Sequence, residues 1–248
     1  MATDAVLRQQ FVSASRGQSL RDRVFFSTMI LVLWGTVLFG FAKTYFMAGM
    51  INAPLPNRLI HIHGAVFTLW MILLLVQESL VTIGKVGWHR TLGLFGFAFA
   101  VMMVILGPLA ATDALRRGSA PLGLDAKTFY IIPISDVLVF AVLVFFAWRT
   151  RRKPAVHKRL ILIATIGIMD AAVGRWPVAY LQHNPKAQDL VPFAFLLAVM
   201  IFDIVTQKKL LKSTLFASLF IIAVHMTRVP IGFTSGWHAF ATRMLAKG

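Results

Sequence analysis

Long apolar runs separated by short polar or basic connectors set the pattern of this chain. Seven of them are long enough to cross a bilayer, at residues 24–50, 59–84, 91–112, 129–149, 158–178, 188–207 and 213–233. About 20 helical residues cover the roughly 30 Å of hydrocarbon. Lipid offers the backbone no water to bond, so such runs are predicted to be helical. The expected fold is all-α, a polytopic bundle of seven transmembrane helices. Residues 1–23 form a polar, basic N-terminal segment ahead of it, and residues 234–248 an outer tail. In that tail Trp237, Phe240, Ala241 and Met244 recur at helical spacing opposite His238 and Arg243, which predicts a short interfacial helix.

Composition agrees with the pattern. The 248 residues are 58% hydrophobic and 14% charged, against about a quarter charged in soluble domains. The formal charge of +16 sits in short caps between apolar runs, which points to the lipid bilayer and its anionic headgroups and not to nucleic acid. Cysteine is absent, excluding disulfides, thiolate-held iron–sulfur clusters and Cys-based zinc sites. The first run is longer than a signal-peptide core and lacks a clear cleavage box, so it reads as a retained span. With seven spans, fifteen basic residues fall on the N-terminal side and nine on the other, leaving out Lys43 inside the first run. Positive residues favour the cytoplasm, so the N-terminus is expected inside and the C-terminus outside, in a bacterial cytoplasmic (inner) membrane.

Candidate chemistry gathers at two levels. On the inner side, Trp88-His89-Arg90-Thr91-Leu92 echoes Val156-His157-Lys158-Arg159-Leu160. His89 heads a stripe of Gly93, Gly96, Ala100, Gly107 and Ala111, and His157 heads Ala164, Ala171 and Gly174. Small residues admit either a close helix or a flat macrocycle. Two imidazoles on facing helices can hold haem iron, with Arg90, Lys158 and Arg159 available to its propionates. Basic caps on tightly packed helices explain the same residues.

Toward the outer side lie His61, His63, Asp136, Asp170, His225 and Arg228. His61 and His63 point roughly 200° apart on a helix. His61 shares a stripe with Gly64, Thr68 and Ser79, which favours it for the interior, while His63 lines up with Phe67, Trp70 and Leu74. Such a group can hold a metal (His61, His63, His225, Asp136 and Asp170 being the candidate ligands), bind a second haem or relay protons. Alternatively it is a set of buried ion pairs, such as Asp170 with Arg175 or Arg228. Glu78 stands alone near the inner end of the second run, a candidate half of a proton path. Asp203 reads as an interfacial counter-charge, and His183 as a solvated loop residue. The seventh run has no lysine for a retinal Schiff base, and no phosphate loop, His-Glu-x-x-His or serine elbow occurs.

The series His61-x-His63-Gly64, Trp88-His89-Arg90-x-Leu92-Gly93, His157-Lys158-Arg159-Leu160 and Arg228-Val229-Pro230-Ile231-Gly232 resembles an uncharacterised bacterial family of seven-span membrane proteins over essentially the whole chain. That family brings no established activity with it. A weaker likeness, to the di-haem b-type transmembrane cytochromes, implies haem b between His89 and His157, and electron transfer with a quinone or another membrane redox partner. The fourth run carries Asp136 and no histidine, so an outer haem would draw on His225 with His61 or His63. Two rival readings stand beside it. One is a seven-span zinc hydrolase of the ceramidase and adiponectin-receptor type, whose paired His motif on the last span is missing here. The other is a proton-coupled transporter or assembly factor without catalysis.

Overall fold

The structure, a computed structural model, describes residues 2–50, 57–121 and 123–246. Side chains 2–19, 49, 183, 185 and 186 lie outside the described residues, as do the expectations for Arg8, Arg16, His183, Lys186 and Lys247. Among the described residues there is no strand. Eleven helices follow in order: α1 (Ala2–Phe41), α2 (Arg58–Thr82), α3 (Val86–Arg116), α4 (Ala126–Arg149), α5 (Pro154–Ile166), α6 (Asp170–Val173), α7 (Ala179–His183), α8 (Pro185–Gln188), α9 (Leu190–Gln207), α10 (Lys212–Gly232) and α11 (Ser235–Ala246). Helix α1 is continuous through the expected N-terminal segment and ends in a π-helical turn, Ala42–Phe46, that carries an exposed Lys43.

The helix starts follow from their caps. Asn57 accepts from the Ile60 N–H at 2.9 Å, and Asp125 accepts from the N–H groups of Lys127 and Thr128 at 2.9 and 3.1 Å. Asn57 also donates to Asp113 at 3.0 Å, tying the start of α2 to the end of α3. The α2–α3 turn needs Gly84, whose φ of +78° suits glycine.

Among the described residues six helices are long and apolar enough to cross a membrane: Leu20–Phe46, Arg58–Thr82, Val86–Arg116, Ala126–Arg149, Leu190–Gln207 and Lys212–Gly232. The fifth run differs from the expectation, because it is broken. After α5 the chain tightens, Ile168 and Met169 bonding back three residues to Thr165 and Ile166, before α6 resumes at Asp170. Gly167 sits at the break, where a Cβ would come within 3.2 Å of Ile221 and Val139. Beyond it α1 lies directly on α6, and a Cβ at Gly40 would run into the Ala172 carbonyl oxygen.

Helix α4 is the hub. Half of its most apolar window is buried, against 28–33% for the other five spanning helices. It packs against α3, α5, α10 and α11, and its Val139, Phe140, Leu143 and Ala147 sit in the main core with Ile163, Ile166, Leu196 and Ile221. Helix α11 covers the ends of α3 and α4: Ala241 packs with Ala111, Leu115 and Tyr130, and the Trp237 indole donates to the Lys127 carbonyl at 2.7 Å. Its apolar stripe is therefore spent partly on protein, and His238, expected opposite that stripe, also meets α4, 3.1 Å from the Thr128 hydroxyl.

Two ties connect the broken segment to α10 at different heights, the first by way of Asp203 on α9. Near the start of α5, Arg159 Nε donates to Asp203 at 2.6 Å, and the other oxygen of Asp203 accepts from Thr214 near the start of α10 at 2.5 Å. Near the end of α10, Arg228 bonds Asp170 at the start of α6.

Candidate functional site

The most heavily charged part of the interior surrounds Arg228. His225 and Arg228 lie three residues apart on α10, one helical face. Asp136 comes from α4, Asp170 from the first residue of α6, and Asp189 from the residue preceding α9. None of the five is more than 6% exposed. Arg228 Nη1 donates to Asp136 Oδ1 at 2.6 Å, and Nη2 donates to Asp189 Oδ1 at 2.7 Å and to Asp170 Oδ2. His225 Nδ1 lies 2.9 Å from Asp189 Oδ1 and 3.6 Å from Asp170 Oδ2. Its Nε2 lies 3.9 Å from Asp136 Oδ1.

The backbone beside this cluster is also irregular. Pro133 and Pro230 each remove a helical N–H within three residues of Asp136 and Arg228. The break between α5 and α6 ends at Asp170 itself. Non-helical backbone at depth is tolerated where it is buried in protein or lines a polar site.

Three carboxylates face one guanidinium. With His225 neutral, two negative charges are left over in a buried setting, where an uncompensated charge costs several kcal/mol. Three polar atoms have no partner: His225 Nε2, Asp170 Oδ1 and Arg228 Nε. Asp136, Asp170 and His225 can each offer an atom such that all lie within 4.8 Å of one another.

Of the outer-side candidates, the structure brings together Asp136, Asp170, His225 and Arg228, and leaves the second-run histidines apart. His61 is exposed and its ring packs beside Tyr45 at 5.8 Å. His63 is half-buried, with its ring 4.1 Å from Phe67. The helical stripe favoured His61 for the interior; the structure turns it outward, because Tyr45 fills the space over Gly64. Neither is among the residues grouped around a shared ligand position. Arg175 does not pair with Asp170. It donates to the Ala171 carbonyl and lies over the Phe41 ring.

Asp189 is the residue that the sequence pattern passes over. An acid directly before an apolar run reads as a helix N-cap. Here its side chain makes no cap bond and turns inward to His225 and Arg228.

On the other level, His157 Nδ1 lies 2.9 Å from the Ala147 carbonyl, so it carries the proton and Nε2 is left as an acceptor. His89 is held differently. The Gln77 amide, turned so that its nitrogen faces the imidazole, donates to His89 O at 3.1 Å and reaches Nδ1 at 2.5 Å. That leaves Nε2 of His89 as the protonated nitrogen. The cations expected beside these two imidazoles are committed elsewhere. Lys158 is paired with Asp22 at 2.5 Å, and Arg159, 1% exposed, with Asp203. Asp203 is thus a fully buried partner and not an interfacial counter-charge. Arg90 is exposed. Glu78 accepts from the Ser27 hydroxyl at 3.2 Å.

Comparison with protein-family models, curated proteins and solved structures gives no match.

Proposed function

We propose that this integral membrane protein is proton-coupled, with the Asp136–Asp170–Asp189–His225–Arg228 cluster as its proton-loading site. One observation carries the reading: three buried carboxylates share one guanidinium. A buried excess of two negative charges is relieved when protons enter, and returns when they leave. Within the cluster Asp170 Oδ1 and His225 Nε2 have no hydrogen-bond partner. The setting is a seven-span bundle of the bacterial cytoplasmic membrane, N-terminus inside and C-terminus outside, in keeping with the resemblance to bacterial seven-span proteins. The basic asymmetry and the ties of α5–α6 to two heights of α10 support that topology. The test is proton release from detergent-solubilised protein titrated between pH 5 and 9. Asp136→Asn and Asp170→Asn should each release fewer protons than the unaltered chain. Identical titrations in all three would end the reading.

A second reading places haem b between His89 and His157, with electron transfer to a quinone or another membrane redox partner. It is favoured by the Nε2 of His157, left as an acceptor by the bond of Nδ1 to the Ala147 carbonyl. It asks that Gln77 turn over, so that His89 holds its proton on Nδ1, and it leaves Arg90 as the cation free to meet a propionate. When bound, the group would supply a one-electron couple. Colourless, iron-free protein from cells supplied with haem would end this second reading.

A further inference from the structure

We propose that the same cluster binds one divalent transition-metal cation, of the Zn2+ or Mn2+ class, through Asp136, Asp170 and His225, in exchange for protons. The inference rests on the proton-loading reading and names what displaces the protons.

Charge comes first. Three carboxylates and one guanidinium leave two negative charges, which one divalent cation neutralises as completely as two protons do. A monovalent ion would leave a buried charge standing.

The donor atoms come next. Two polar atoms without a protein partner, His225 Nε2 and Asp170 Oδ1, belong to residues 2% and 5% exposed. Such orphaned groups are costly unless something occupies the space between them. The third donor is Asp136, whose Oδ1, also held by Arg228 Nη1, lies 3.9 Å from His225 Nε2. Ligands bonded to a metal at about 2.1 Å stand no more than about 4.2 Å apart. Each of the three residues offers one donor atom within 4.8 Å of the others, so a shared metal asks for some contraction of the group.

The surroundings fit a metal-binding imidazole. Asp189 accepts from Nδ1 of His225, which fixes the tautomer so that the lone pair is on Nε2. Carboxylate behind imidazole is the usual arrangement for a metal-ligating histidine. Arg228 holds Asp136 and Asp170 by one oxygen each, which keeps both carboxylates on station without consuming Asp170 Oδ1. One imidazole with two carboxylates selects a transition metal over Mg2+ or Ca2+, which prefer oxygen alone.

The experiment uses tag-free, full-length protein in detergent, titrated with ZnCl2 by calorimetry at pH 7.5 in two buffers of different ionisation enthalpy. One Zn2+ per chain is expected, with release of up to about two protons. Asp170→Asn and His225→Gln should each weaken binding by about tenfold or more while retaining helical content. X-ray absorption of the Zn2+-loaded unaltered chain should show a nitrogen and oxygen shell near about 2.0–2.1 Å with a single imidazole. This second measurement stands even if a variant fails to fold. Binding that survives both substitutions, or a shell with two or more imidazoles, overturns the proposal. No saturable binding, with proton release still lost in Asp170→Asn, overturns the metal and leaves the proton-loading reading intact. Loss of both signals ends both.

Discussion

One oxygen of Asp189 holds both His225 and Arg228: Oδ1 lies 2.9 Å from the imidazole Nδ1 and 2.7 Å from guanidinium Nη2. The shared oxygen orients the imidazole and neutralises part of the guanidinium at once. Asp189→Asn keeps an oxygen that can accept from both, whereas Asp189→Ala leaves two buried donors short. The alanine variant should lose about 1–3 kcal/mol, the usual cost of unsatisfied buried groups, and the asparagine variant less. Thermal unfolding in detergent orders the two. The reverse order would mean that charge, not orientation, is what Asp189 supplies.

Removing Arg228 exposes the charge imbalance directly. Arg228→Met leaves Asp136, Asp170 and Asp189 with no guanidinium, and breaking a buried ionic group in this way costs about 3–5 kcal/mol. Protonation removes the repulsion, so the deficit should shrink as pH falls from 8 to 5. The quantity to follow is the gap in Tm between variant and unaltered chain. A gap that stays constant across that range would mean the three carboxylates are not ionised together.

The parts of this molecule legible in the sequence are those set by length and hydropathy. Six of the seven runs stand as long helices, and the amphipathic stripe of Trp237, Phe240, Ala241 and Met244 stands as α11. The possible pairing of Asp170 with Arg228 could be read from depth and charge. The break after Ile166 could not, since Gly167 and Gly174 look the same in sequence whether they admit a close helix or end one. Asp189 was hidden by the ordinary preference for acids at helix starts. The stripe arithmetic for His61 treats a helix as surrounded by partners, and at the end of α2 one side is open.

Helix α1 packs at Gly40 against α6, the helix that begins at Asp170. At Gly40 an added Cβ meets the Ala172 carbonyl, whereas at Gly35 it meets nothing within 4 Å. Alanine is intrinsically better than glycine in a helix by about 1 kcal/mol. Gly35→Ala should therefore be neutral or stabilising, and Gly40→Ala destabilising, with proton release at the cluster reduced. Equal effects on Tm would mean α1 yields without moving α6.

At the loop before α4, the Thr128 hydroxyl 2.5 Å from Asp125, helped by two backbone N–H groups, holds that carboxyl below its ordinary range. A depressed folded-state value stabilises the fold above the unfolded value, and that contribution is lost as pH falls through the folded one. The α4–α11 junction, followed by Trp237 fluorescence, should thus persist below the usual carboxylate titration. Asp125→Ala should abolish that persistence and weaken the α4 start by about 1 kcal/mol.

The side of the membrane on which the C-terminus lies depends on whether α5–α6 crosses. Thr214 and Arg228 mark two heights on α10 that are fourteen residues, or about 21 Å, apart. The broken segment is tied to both, by Arg159 through Asp203 at the lower height and by Asp170 at the upper one. It therefore rises alongside α10 through most of the same thickness, despite lacking one long helix. In the proposed topology it is counted as a seventh crossing, so the termini fall on opposite sides. The greater number of basic residues on the N-terminal side is the reason that topology has it in the cytoplasm. A phosphatase reporter active only outside the cytoplasm should be active when fused after Gly248 and inactive when placed in the Thr150–Lys153 turn. Inactivity at both sites would mean that α5–α6 folds back, leaving six crossings, and would move the C-terminus to the cytoplasm.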